Sequence, residues 1–94
     1  MNKNQVLATL TAIDYSCFGV KSLELFGSVA RDEAHATSDI DILVEFEETP
    51  TFAQYMDLKF LLEDTLGTKV DLVQKEMLHP SLRKNVESEV IPVA

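Results

Sequence analysis

The chain has 94 residues, 46% hydrophobic and 26% charged, with three glycines and three prolines. It therefore reads as one globular domain, residues 1–94, and not as a disordered or low-complexity segment. Sixteen acidic against eight basic side chains give a net charge of −8, which repels a phosphate backbone, and no basic patch offsets it, so direct nucleic-acid binding is not expected.

The start, Met1-Asn2-Lys3-Asn4-Gln5, has none of the character of a signal peptide, and Asn2 with Gln5 three residues later forms a helix cap. Val6, Leu7, Leu10 and Ile13 then recur at helical spacing to about Tyr15. Gly19 punctuates, and Val20 to Phe26 alternates as a strand, with Leu23 and Leu25 on one face. Gly27 ends that strand, and Ser28 to about His35 leaves room for no more than two helical turns. Ser38 to Phe46 reads as the second strand. After Pro50, Thr51-Phe52-Ala53-Gln54 has the form of a capping box for the longest amphipathic helix, which Gly67 stops. Its apolar residues cover more than half its circumference, leaving a strip for self-association or a partner. Val70 to Val73 is a short third strand. His79-Pro80-Ser81 opens a last helix to about Ser88, and Glu89 to Ala94 is an extended tail or edge strand. The order αβαβαβα defines one α/β layer structure. No apolar run approaches the roughly 18 residues of a membrane span. The single cysteine, Cys17, cannot form an internal disulfide, so a reducing cytoplasmic location is expected.

Three carboxylates interrupt or open otherwise apolar strands: Asp39, Asp41 and Asp71. Asp39 and Asp41, two apart, share one face. Gly27 and Asp39 become neighbours if the first two strands run antiparallel. The long helix between the second and third strands is the crossover of a parallel pair, which delivers Asp71 to the same edge. Such a cluster would repel itself unless a cation sat within it. Its all-oxygen donors suit Mg²⁺ or Mn²⁺, with room for two ions, whereas Leu43 and Val44 exclude a calcium EF-hand loop. Gly27 lets a phosphate approach the backbone, Ser28 adds a hydroxyl, and Arg31 a cation. The chain has no Walker A loop and no G-x-G-x-x-G.

Gly27-Ser28, ten residues, then Asp39-x-Asp41 resembles the G-S-x(10)-D-x-D pattern of the polymerase-β-like nucleotidyltransferase superfamily. The fuller "FGSVAR…SDIDILVEF" with "VDLV" at 70–73 is similar to its minimal nucleotidyltransferase branch. The resemblance spans about Val20 to Glu87. It implies a small mixed sheet, antiparallel in its first pair and parallel in its second, flanked by helices. It also implies that Asp39 and Asp41 hold two Mg²⁺ ions, that Asp71 helps hold the catalytic ion and activate the acceptor, and that Gly27 and Ser28 grip the triphosphate. Members of this branch act as antitoxins to an all-helical HEPN-domain toxin, some by transferring AMP from ATP to one of its tyrosines. The expected function is that transfer, with ATP as substrate and the toxin as partner. The alternative is a non-catalytic antitoxin that neutralises its partner by occlusion, and a weaker reading is transfer to a cationic small molecule. Asp32 departs from the glycine many relatives carry there and adds an acid near the phosphates. His35 reads as a solvated loop residue, Ser38 as support for Asp39, and His79 as the start of a helix. Tyr55, Met56 and Phe60 read as packing, and Arg83 and Lys84 as an exposed helical face.

Overall fold

A computed structural model describes residues 2–31, 33 and 39–94. Helix α1 spans Lys3–Thr11 under a reciprocal cap. The Asn2 carboxamide oxygen accepts from the Gln5 amide at 2.9 Å, and Gln5 Oε1 accepts from the Asn2 amide at 3.0 Å. The helix stops four residues short of the expected Tyr15, for two local reasons. Asp14 captures the Ser16 amide at 2.9 Å in a turn that competes with helix, and the Tyr15 hydroxyl donates at 2.6 Å to the carbonyl of Leu10, in the last turn. A 3₁₀ turn, Ser16–Phe18, then leads to Gly19 at φ 65°.

Strand β1 is Val20–Phe26, and one turn of helix, α2, follows at Gly27–Ala30. Of the expected second helix, Asp32 and the stretch 34–35, with His35, lie outside the described residues, as does Ser38, expected to open the second strand; β2 runs Ile40–Phe46. Helix α3, Phe52–Leu66, starts under the Thr51 hydroxyl, which accepts from the Gln54 amide at 3.1 Å. The expected reciprocal half of that cap is diverted. The Gln54 side chain donates at 2.8 Å to the Phe18 carbonyl, tying the start of α3 to the approach to β1. Gly67, left-handed at φ 70°, ends α3 as expected. Strand β3, Val70–Gln74, passes through the 3₁₀ turn Lys75–Met77 to α4, Pro80–Glu87, capped by the His79 ring. The tail resolves into a short edge strand, β4, Ile91–Pro92.

The sheet order is β3-β2-β1-β4. The β1–β2 and β1–β4 pairs are antiparallel and β2–β3 is parallel, which is the mixed sheet expected from the sequence. One face carries Leu23, Leu25, Ile40, Ile42, Val44, Phe46, Val70 and Leu72 into a core closed by Val6 and Leu10 of α1 and Leu58, Leu62 and Leu66 of α3. The alternate residues of β2, Asp41, Leu43 and Glu45, point to the opposite face. No helix among the described residues is long and apolar enough to cross a membrane.

Candidate active site

The site forms where β1 ends and β2 and β3 begin. Phe26 pairs with Asp41, and Asp41 pairs with Asp71, so three strands bring Gly27 and two of the carboxylates into one row. Asp39 stands exposed just before β2, two residues from Asp41 and so on the same side of the sheet.

Gly27 is required here twice over. Its φ of +75° is the left-handed region that L side chains rarely adopt, and a Cβ at this position would lie 2.0 Å from Asp41 Oδ2. The missing side chain is therefore the space that the Asp41 carboxylate occupies. The Ser28 backbone amide also acts on that carboxylate, lowering its pKa.

Asp41 is partly buried, and its pKa is raised. Desolvation is the largest cause, followed by the charges of Asp71 and Asp39, while Arg31 and the Ser28 amide pull it down. Asp39 and Asp71 thus both act on Asp41, the crowding that the sequence predicted at that carboxylate. Among the described residues, no three acidic, histidine or cysteine side chains are grouped closely enough to hold a metal ion as they stand. Asp41 and Asp71 instead pair side by side at an open edge, with Asp39 exposed just before them. Hard oxygen donors at such an edge fit Mg²⁺, which keeps several waters and uses few protein carboxylates.

Arg31 is in place near Asp41, but its guanidinium is already engaged. Nε donates to Glu33 at 3.1 Å and a terminal nitrogen to Glu89 at 2.9 Å, and these partners raise its pKa, Glu33 foremost. Glu89, in the tail, carried no sequence signal for this role, since 58 residues separate it from Arg31.

Tyr55 is a second neighbour that sequence reasoning assigned only to packing. Its hydroxyl donates to the Leu72 carbonyl, and its pKa is raised, first by burial and then by the charge of Asp71. Helical periodicity placed Tyr55 on an inward face of α3, but only the packing of α3 on β3 puts it beside the third carboxylate.

The nucleotidyltransferase domain family matches residues 11–93. The protein adenylyltransferase MntA of Thermococcus cleftensis is 46% identical over 76 residues, covering 81% of this chain and 77% of its own length. A solved structure described as a minimal nucleotidyltransferase superposes with a TM-score of 0.81 at 40% identity, over 98% of this chain and 96% of that one. A toxin–antitoxin complex solved with AMP-PNP contains a chain 26% identical, with a TM-score of 0.71, over 100% of this chain and 73% of that one. With Gly27-Ser28 and the three aspartates set at one sheet edge, these likenesses place the chain in the nucleotidyltransferase family, in the minimal branch of the polymerase-β-like superfamily.

Proposed function

We propose that this nucleotidyltransferase moves AMP from ATP to a hydroxyl, that of a tyrosine, on a HEPN-domain toxin and thereby acts as its antitoxin. The observation that carries the reading is the row Gly27–Asp41–Asp71, in which a glycine makes room for a carboxylate that two others crowd. The protein adenylyltransferase relative and the AMP-PNP complex support AMP and ATP as the group and its donor.

Asp39, Asp41 and Asp71 would hold two Mg²⁺ ions, which when bound supply charge neutralisation for the triphosphate and acidify the acceptor hydroxyl. The chain's own residues do the rest. Gly27 leaves room for the Asp41 carboxylate at the β1–α2 junction, and Ser28 offers its hydroxyl to a phosphate oxygen. Arg31 exchanges its glutamate partners for phosphate. The acceptor oxygen bonds to the α-phosphorus in line as the bond from that phosphorus to the pyrophosphate oxygen breaks. Asp71, exposed at the start of β3, takes the hydroxyl proton.

The test is transfer itself. With Mg²⁺, ATP labelled at the α-phosphate and a HEPN-domain partner, the chain should leave a labelled AMP adduct on the partner. Asp39→Asn and Asp41→Asn should abolish it. If no adduct forms and both variants still neutralise the partner, occlusion replaces transfer as the activity.

A further inference from the structure

An open cleft of about 430 Å³ lies between the first turn of α3 and the outer edge of β3. Pro50, Phe52, Tyr55, Val73 and Met77 are among the residues that line it. Phe52 is 80% exposed and Met77 75% exposed, so two of the largest bare apolar side chains among the described residues border one concavity. Pro50, Gln74 and Met77 also line an adjoining hollow of about 390 Å³, whose walls include Glu47, Glu48 and Glu76. An apolar trough thus runs directly into an acidic rim. The nearby Lys75 does not offset that rim, because its ammonium pairs with Glu24 at 3.6 Å.

We infer that this cleft docks a cationic amphipathic helix of a protein partner, its apolar side chains against Phe52 and Met77 and its lysines or arginines against Glu47, Glu48 and Glu76. Charge chooses the partner. A second copy of this chain would bring another −8 and another acidic rim to the same place. Backbone chemistry chooses a helix over an added strand. Two of the outward groups of β3 are already taken, the Val70 amide by Glu63 Oε2 at 3.0 Å and the Leu72 carbonyl by the Tyr55 hydroxyl. A strand laid along Val70–Leu72 would have to displace both of these bonds, whereas a helix binds through side chains alone. Tyr55, which lines the cleft, lies within reach of the Asp71 charge, so a docked partner sits near the third carboxylate. That last step, in which the docked protein is also the acceptor, rests on the function proposed above. The docking does not.

The test needs neither nucleotide nor metal, so it stands or falls apart from transfer. The probe is a helix-forming peptide of about 16 residues, leucines at i, i+3, i+4 and i+7 and lysines along both flanks. It is added to the isotope-labelled chain and followed by amide shifts and fluorescence anisotropy. Shifts should centre on Phe52, Tyr55 and Met77, and added salt should weaken binding. Phe52→Ser with Met77→Ser should weaken it about tenfold or more. Glu47→Gln with Glu48→Gln and Glu76→Gln should flatten the salt dependence. All five side chains are exposed, and an unchanged thermal melt confirms that the variants fold. The inference is overturned if shifts centre on Asp39, Asp41 and Asp71, or if a glutamate-flanked peptide binds equally well. Concentration-dependent dimerisation of the free chain that Phe52→Ser with Met77→Ser removes would overturn it too, in favour of a second copy.

Discussion

Along β2, Ile40, Ile42, Val44 and Phe46 enter a buried core against α1 and α3, while Asp41, Leu43 and Glu45 leave the same strand on the other side. The core face gains from every apolar atom it hides. On the other face desolvation and two neighbouring charges work against Asp41, the carboxylate set closest to Gly27. Apart from Leu43, buried on the Asp41 side, the apolar residues of this seven-residue strand face the core and its acidic residues the other side. A substitution on either side should reveal which side it belongs to.

The largest separation is expected from Asp41→Asn. Loss of a ligand to the transition-state charge should lower transfer by on the order of 10²–10³-fold, several kcal/mol, with the core intact by near-UV circular dichroism. Leu58→Ala is the mirror experiment. Leu58 is fully buried, and its truncation should cost about 2–5 kcal/mol, read as a large drop in Tm, while transfer per folded molecule holds. A comparably large loss of transfer there would break the division.

Two glycines sharpen the contrast further. Gly27 and Gly67 both sit at positive φ, but a Cβ at Gly67 meets nothing within 4 Å. Gly67→Ala should therefore cost only the left-handed backbone term, about 1–2 kcal/mol in denaturant melts, and keep transfer. Gly27→Ala should cost more than that and also lose transfer, because the new methyl displaces Asp41.

The smallest effect is a pH dependence in metal-free buffer. The folded pKa of Asp41 lies above its unfolded value of about 3.8. Its contribution is fully present below that unfolded value and is lost as pH rises through the folded one. Asp41→Asn should therefore be the more stable protein near neutral pH, and the gap should close on acidification through that window. A gap that widens toward acid would mean that Asp41 stabilises the fold as a carboxylate.

Much of this arrangement was legible in the chain because it depends on short spacings. The Asn2 cap, the alternation in Val20–Phe26, the amphipathic run closed by Gly67 and the two-residue step from Asp39 to Asp41 are local patterns that physics reads locally. The meeting of Asp71 with Asp41 was also legible, because a helical crossover between two strands implies a parallel pair. What stayed hidden depends on side chains meeting across the fold. Gln54 chose Phe18 over its own cap, Glu89 reached back to Arg31, and Tyr55 closed the Leu72 carbonyl. No window of neighbouring residues contains both members of those pairs. The overrun of α1 had a different source, since apolar periodicity through Ile13 ignored the competing turn at Asp14.

The register of β2 against β3 has one more consequence. Ile40, Asp41 and Ile42 pair in order with Val70, Asp71 and Leu72. Turning β3 by one residue would drive Asp71 into the core and strip Val70 and Leu72 from it. The core therefore proofreads the active site: a chain that assembles with its third carboxylate misplaced also forfeits its packing, so defective copies unfold instead of persisting as inactive competitors.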